Sequence, residues 1–211
     1  MVTGREVRVQ MNSLQELYLE ELKDLYNAEQ QILKALPRMM KAASDRELQR
    51  AFSQHEKQTQ RQVKRLERIF RELGETPRGK RCKGMEGLLE EGADLIKEKP
   101  EPEVLDAGLI AAAQRVEHYE IAAYGTLRTY AQQLGHAEQA SLLQETLNEE
   151  GETDKLLTAL AESSINLEAE EAGDDDETSG NGNGTGASAR GRSNRGGRAT
   201  RSRATRKTAR R

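Results

Sequence analysis

The feature that most constrains the fold is a long helical pattern whose apolar side carries two acidic residues. Between Ile110 and Leu134, the residues that recur every three or four positions are mostly apolar, but Glu117 and Glu120 occupy the same stripe. A carboxylate on the inner side of a helix is costly unless it is paired, hydrogen-bonded or bound to a metal. The chain must therefore fold so that other helices bring partners to the same depth.

Three further segments, at about 13–40, 45–73 and 137–164, carry the same helical periodicity. Four helices of about 25 to 30 residues have the length that a four-helix bundle needs. A shorter helix at about 84–99 separates the second long helix from the third, and such a long crossover is typical of ferritin-like topology. No segment alternates with the period of a strand. The predicted fold class is all-α: a ferritin-like four-helix bundle with an extra short helix in the crossover between helices 2 and 3, plus a disordered C-terminal tail.

Composition divides the chain into three parts. Residues 1–12 are polar and are predicted to form a flexible N-terminus, residues 13–167 form the bundle domain, and residues 168–211 form a tail. The tail is acidic from Glu168 to Glu177, with seven Asp and Glu, and becomes basic from Arg190 onward, with nine Arg and one Lys. It has too few apolar side chains to offset the entropy of ordering, so we expect it to be disordered.

The basic end of the tail predicts non-specific binding of DNA or RNA, because each phosphate that it neutralises releases counterions. No aromatic residue interleaves the arginines, so stacking on bases is not expected. The alternative is that the tail folds back on the acidic run and the body, where removal of 7 acids from 36 and 10 bases from 33 leaves 29 acids and 23 bases. The candidate contact residues are Arg190, Arg192, Arg195, Arg198, Arg201, Arg203, Arg206, Lys207, Arg210 and Arg211.

The sequence carries no sign of export or of a membrane segment. Residues 1–12 contain no apolar run, and no window approaches the ~20 apolar residues that span a bilayer, so we expect a cytoplasmic protein without a membrane partner. A single cysteine, Cys82, fits a reducing compartment. It stands between Arg81 and Lys83 in a predicted loop, where we expect it to be exposed and its thiol pKa to be lowered.

The two halves of the predicted bundle are related by a weak internal repeat. Aligning the first long helix with the third superposes Glu29 on Glu120, and aligning the second with the fourth superposes His55 on Glu149. Each half would then supply one inward Glu and one further ligand-type residue, which is the layout of a di-iron or di-manganese carboxylate site. Carboxylates with one imidazole suit Fe or Mn, and the absence of thiolates argues against structural zinc.

The predicted metal ligands come from all four long helices. They are Glu29, His55, Glu120, Glu149 and Glu150, where the uncertainty of one residue in the stripe leaves the choice within the last pair open. Candidate supporting residues that would orient the ligands are Glu117, Thr59, Gln62, Thr153 and Asp154. Neither partner helix carries the usual Glu-x-x-His spacing. A buried polar network without metal is the competing interpretation, and it predicts a structural or binding protein instead of a metal-dependent oxidoreductase.

The stretch Val-Glu-His-Tyr-Glu-Ile-Ala-Ala-Tyr-Gly-Thr-Leu at 116–127, together with segments 85–91, 109–114 and 142–150, resembles the YciE/YciF family of bacterial ferritin-like stress proteins. The likeness covers about residues 14–167. It implies a rubrerythrin-like bundle with an extra short helix, a homodimer, a di-metal centre and a stress-linked role, with no assigned reaction.

The resemblance also bears on individual residues. It matches Glu29 and Glu120 to the inward glutamates of the family, and the pair at 149–150 to its acidic pair. Some relatives carry a Glu-x-x-His where Lys57 and Gln60 stand in this chain, so the resemblance does not supply the full ligand set of a second metal.

Overall fold

The computed structural model describes residues 11–78 and 80–178, and every regular element within them is helical. The helices are α1 Leu14–Ala42, α2 Arg46–Glu72, α3 Lys83–Glu98, α4 Pro102–Gln133 and α5 Ala137–Leu160, after which a π-helical turn, Ala161–Ile165, leads into α6 Asn166–Thr178. The predicted all-α class is confirmed.

The bundle consists of α1, α2, α4 and α5. Short turns at 43–45 and 134–136 join α1 to α2 and α4 to α5, so each pair is an antiparallel hairpin. The two hairpins close into a bundle because α1 also packs on α4 and α2 on α5. In the crossover, α3 packs against α1 and α4. This is the predicted ferritin-like arrangement with its extra short helix.

Local chemistry sets the ends of these helices. The side chains of Ser13 and Asp45 accept backbone N–H bonds in the first turns of α1 and α2. Gly74 and Gly135 follow the ends of α2 and α4 with φ of 69° and 81°, a conformation that L side chains rarely adopt. Of these four residues, Asp45 and Gly135 lie in the two hairpin turns, so a single residue marks each turn.

A buried carboxylate ties the α1–α2 turn to α4. Asp106 accepts bonds from the backbone nitrogens of Ser44 at 2.9 Å and Asp45 at 2.7 Å, and from the Ser44 hydroxyl at 2.6 Å. Charge-assisted bonds of this kind are the stronger ones in proteins. They hold the first hairpin in register with α4, and the alignment of inward residues on α1, α2 and α4 depends on that register.

The core is apolar on both sides of a polar layer. On α1, Leu22 and Leu25 precede Glu29 among the buried residues, and Ile32 and Leu36 follow it. The same order recurs on α4, where apolar residues flank the buried acids at 117 and 120. The acids therefore lie in the middle of the bundle, with apolar packing at each end to exclude water.

The helical structure extends beyond the predicted end of the bundle domain. We expected the last helix to end near Ser164 and the tail to begin at Glu168, but α6 continues to Thr178. Glu and Ala, which make up six of the thirteen residues of α6, are strong helix formers, and α5 already provides the helical nucleus. Packing of α6 on α4 further stabilises the helix. The predictions for residues 1–10 and for 179–211, including the basic residues from Arg190 to Arg211, fall outside the described residues.

Candidate metal centre

Five titratable side chains meet in the middle of the bundle. Glu29 comes from α1, His55 from α2, Glu117 and Glu120 from α4 and Glu150 from α5, and none is more than 4% exposed. Ligand atoms of all but Glu29 lie within 4.8 Å of one another. Because each helix contributes to the cluster, it exists only in the folded bundle.

Helical spacing explains why these side chains point inward. On each helix the buried polar residues are three or four positions apart, which places them on one face. They are His55, Thr59 and Gln62 on α2, Glu117 and Glu120 followed by Tyr124 on α4, and Thr146, Glu150 and Thr153 on α5.

The cluster has more polar atoms than hydrogen-bond partners. Among the described residues, eight buried side-chain nitrogen or oxygen atoms have no hydrogen-bond partner when the carboxyls are ionised, and seven belong to this site: Glu29 Oε2, His55 Nε2, Gln62 Oε1, Glu117 Oε2, both oxygens of Glu120, and Glu150 Oε2. If the carboxyls keep their protons, Glu29 can pair with Glu120, and Glu117 with Glu150. Leaving one such atom unpartnered costs about 1–3 kcal/mol. So many in one place are expected where a bound ion supplies the missing interactions.

The imidazole of His55 is held in a form that can bind a metal. Its Nε2 lies 3.2 Å from Oε1 of Glu117 but makes no hydrogen bond. Burial lowers the pKa of His55 to about 4, so the ring is neutral at neutral pH and the contact is not an ion pair. The hydroxyl of Thr153 lies 3.4 Å from Nδ1, which leaves Nε2 as the nitrogen that faces the carboxylates.

The carboxyl groups of the cluster are poorly disposed to ionise without a cation. Burial, followed by repulsion from Glu150, raises the pKa of Glu29 and of Glu117 well above the usual value. Burial and repulsion from Glu29 do the same for the pKa of Glu120, and burial raises the pKa of Glu150 to about 7. A cation at this point would replace the protons that these groups otherwise keep.

Two neutral side chains position the carboxyls. The hydroxyl of Tyr124 donates a hydrogen bond to Oε1 of Glu29, and the amide of Gln62 donates one to Oε1 of Glu150. The sequence analysis named Gln62 as a supporting residue but did not name Tyr124. The signal for Tyr124 was its place four residues after Glu120 on the same inward face.

The structure distinguishes the two acids at the end of the α5 stripe. Glu150 lies in the cluster, whereas Glu149 accepts bonds from Arg65 Nη1 at 2.7 Å and Nη2 at 2.9 Å, and from Gln62 at 3.1 Å. Partial burial acts to raise the pKa of Glu149, but the hydrogen bonds and the charge of Arg65 lower it below its usual value. Glu149 is thus an ionised partner of Arg65 outside the group of mutually close ligand atoms.

The remaining predicted residues lie at different distances from the cluster. The Thr59 hydroxyl donates to the backbone oxygen of His55 at 3.0 Å. Asp154 lies at the rim, where it accepts a bond from Gln114 at 3.1 Å and lies 3.3 Å from Nε2 of His118. Glu117, predicted only as a supporting residue, has its carboxylate among the candidate ligands.

The resemblance indicated a departure at Lys57 and Gln60, and neither residue belongs to the cluster. Lys57 and Gln60 are exposed on the outer face of α2. A Glu-x-x-His pair at those two positions would face away from the bundle centre. The departure therefore leaves the inward row of α2 intact.

The prediction for Cys82 was wrong. The side chain is buried, its Sγ lies 2.9 Å from the Tyr119 hydroxyl, and its backbone N–H donates to Asn27 at 2.8 Å. Burial and a hydrogen bond with Asp24 raise the thiol pKa. The start of α3 packs against α1 and α4, which covers the thiol that the neighbouring basic residues suggested would be exposed.

Comparison with known proteins decides the family. A family model described as a domain of unknown function, DUF892, matches residues 13–170. The chain belongs to this family. It is 44% identical to protein YciF of Escherichia coli K12 over 161 residues, which cover 76% of this chain and 97% of that protein.

Solved structures agree with this assignment. The crystal structure of the E. coli stress protein YciF matches with a TM-score of 0.72 at 43% identity, covering 74% of this chain and 99% of that one. YcfI of Rhodopseudomonas palustris matches with a TM-score of 0.68 at 40% identity, covering 74% and 98%. The predicted resemblance is confirmed.

Among the described residues, no helix combines the length and apolar character needed to cross a membrane.

Proposed function

We propose that this protein is a ferritin-like stress protein that binds iron or manganese at the central cluster and acts in metal handling or in defence against reactive oxygen species. The observation that carries the proposal is the group of seven buried polar atoms, from side chains of all four bundle helices, that have no hydrogen-bond partner when the carboxyls are ionised. A metal ion is the simplest partner that accepts several oxygen lone pairs and one imidazole at once.

The donor set favours particular metals and a particular arrangement. His55, Glu117, Glu120 and Glu150 offer three carboxylates and one imidazole within 4.8 Å of one another, which suits one hard or borderline divalent cation. Glu29, whose charge acts on Glu120, supplies the further carboxylate that a second cation needs. When all are deprotonated, the four carboxylates carry the charge that balances two divalent ions.

The residues around the cluster have different roles. Bound iron or manganese would supply redox chemistry toward oxygen species. Tyr124 and Gln62 orient the carboxylates of Glu29 and Glu150 through hydrogen bonds, and Thr153 holds the ring of His55. Apolar packing above and below the layer keeps water out, so the carboxyl protons must leave as a cation enters.

Metal analysis tests the proposal directly. Protein purified after growth with added iron should contain about one to two metal ions per chain. The double variant Glu29→Ala plus Glu120→Ala should retain little metal, whereas the matched pair Glu152→Ala plus Glu162→Ala, both exposed, should retain the wild-type content. Less than about 0.2 metal per chain in the wild type, unchanged in the inner double variant, would contradict a metal site.

A second candidate function is that of a metal-free structural or binding protein. It is favoured by the bonds from Tyr124 to Glu29 and from Gln62 to Glu150, which already satisfy part of the cluster. On this hypothesis the acids stay protonated and chelators leave the thermal stability unchanged.

We also propose the homodimer that the resemblance implies, which light scattering on the intact protein would detect as twice the chain mass.

Nucleic-acid contact through residues 190–211 remains a proposal carried by the sequence alone. Ten positive charges without acids should retard DNA in a gel at low salt and release it as salt is raised. Deletion of 190–211 should abolish the retardation. Retardation that survives the deletion would show that the tail is not the binding element.

A further inference from the structure

An open groove of about 410 Å³ runs along the surface between α1, α3 and α4. Its rim is charged, with Lys34 and Arg38 on the α1 side and Glu86 and Glu90 on the α3 side. Its floor is apolar and consists mainly of Leu88, Leu89, Ile96, Ala112 and Val116. The volume is in the range of small-molecule sites, so the groove is roomy enough to admit solutes from the solvent.

A small cavity of about 20 Å³ lies behind the floor of this groove. Most of its lining is apolar, but His55, Glu117 and Thr153 also line it. The space suffices for one water-sized molecule, since a cavity needs about 10–15 Å³ by this measure to hold one. The cavity therefore gives a small molecule direct contact with two candidate ligands that each carry an unpartnered atom, His55 Nε2 and Glu117 Oε2.

The cavity and the groove share four lining residues. Ala35, Met39, Leu89 and Val116 line both spaces, so the cavity and the groove adjoin at these residues. We call this set the constriction. Its members are apolar, and Met39 has a flexible side chain that can yield without disturbing the backbone.

The chemistry of the walls selects what can pass. An ion that enters an apolar passage loses its hydration without gaining a partner, whereas a molecule such as dioxygen loses almost nothing. The side of the cluster between α2 and α5 differs, because Arg65, Glu149 and Gln62 fill it with ionic and polar contacts. The α1/α3/α4 side is thus the apolar approach to the site.

We propose that the groove, the constriction and the cavity form the route by which small uncharged molecules of the size of dioxygen reach His55 and Glu117. Ala35, Met39, Leu89 and Val116 set the size limit. The use of this route for a substrate rests on the proposed function, but its existence does not require a metal.

Dissolved oxygen is paramagnetic, so it is both the molecule that the route would carry and the probe that detects it. The test uses metal-free protein, because the existence of the route does not require a metal. Methyl-labelled protein under oxygen pressure should show stronger relaxation enhancement at Leu157, which lines the cavity, than at the equally buried Leu22 and Leu66. Ala35→Leu should lower the enhancement at Leu157 by at least about threefold, because it fills the constriction. Leu89→Ala should raise it, because it widens the constriction.

The matched control is Ala123→Leu, which adds the same atoms to a half-buried position in a different groove on α4. It should leave the enhancement at Leu157 unchanged. Equal enhancement at Leu157 and Leu22 in the wild type, or equal effects of Ala35→Leu and Ala123→Leu, would overturn the proposal. Protein that binds no metal but shows the expected enhancements would refute the proposed function while supporting the route.

Discussion

Addition of Fe(II) or Mn(II) to metal-free protein near neutral pH is expected to raise its melting temperature by roughly 5 to 10 °C. A ligand at about one hundred times its dissociation constant stabilises the native state by about 2.7 kcal/mol. For a domain of about 150 residues, each kcal/mol shifts the midpoint by about 2–4 °C. The cation would bind carboxylate oxygens and an imidazole nitrogen that only the folded bundle brings together, which is why we expect it to bind the folded state only.

One isosteric substitution should reduce the rise in melting temperature on metal addition and at the same time increase the stability of the metal-free protein. Glu120→Gln removes a candidate ligand, so the metal-induced shift should largely disappear. The same change removes a carboxyl whose pKa burial and Glu29 hold well above the usual value, so the metal-free protein should be more stable than the wild type at mildly alkaline pH. A site built for a ligand at the expense of stability behaves in this way.

The control for this experiment is Glu152→Gln, an exposed position on α5. It should leave both the metal-induced shift and the metal-free melting temperature close to the wild type. If Glu120→Gln and Glu152→Gln give the same shift on metal addition, the cluster is not where the metal binds. Circular dichroism with and without metal, followed by chelation, measures all of these midpoints.

Much of the fold follows from local sequence signals. Helical periodicity located the four long helices. Gly74 and Gly135, which follow two of these helices with positive φ, are local signals for their ends. The continuation of the last helix to Thr178 was missed because composition suggested disorder. The sequence does not reveal that α6 packs on α4 or that α5 has already formed the nucleus from which it grows.

The candidate site was predictable in its helices and only partly in its residues. Glu29, His55 and Glu120 stood on apolar stripes, so their inward orientation followed from spacing. The choice between Glu149 and Glu150 did not, because a stripe fixes orientation only to within one residue. Arg65, which lies on α2, pairs with Glu149 and leaves Glu150 to the cluster. A contact between residues 84 positions apart leaves no local trace.

The pH dependence of the metal-free protein is the second large effect that we expect. A carboxyl whose pKa is raised in the folded state binds more protons there than in the unfolded chain, so its contribution is complete below the ordinary pKa of 4.5 and is lost as pH rises through the folded value. For Glu150, with a folded pKa of about 7, the loss is about 3 kcal/mol. The pKa values of Glu29, Glu117 and Glu120 are shifted in the same direction.

The titration of His55 changes the free energy of unfolding in the opposite direction, and it does so over a lower range of pH. Its pKa falls from 6.5 to about 4 on folding, so the unfolded chain binds the extra proton and stability is lost as pH drops through that interval. Between about pH 4.5 and 6.5 the histidine and the carboxyls therefore partly cancel. Above about pH 6.5 only the carboxyls remain, and the free energy of unfolding should fall as pH rises.

Denaturant titration of metal-free protein from about pH 6.5 to 8.5 measures this slope. Glu150→Gln should make the slope shallower, because the amide does not titrate, whereas the exposed Glu152→Gln should leave it unchanged. Metal should reverse the slope, since a cation competes with the carboxyl protons and binds more tightly as they leave. Metal-free protein whose stability is flat across this range, in wild type and Glu150→Gln alike, would mean that the four carboxyls are satisfied within the fold, and the case for a cation among them would lose its physical basis.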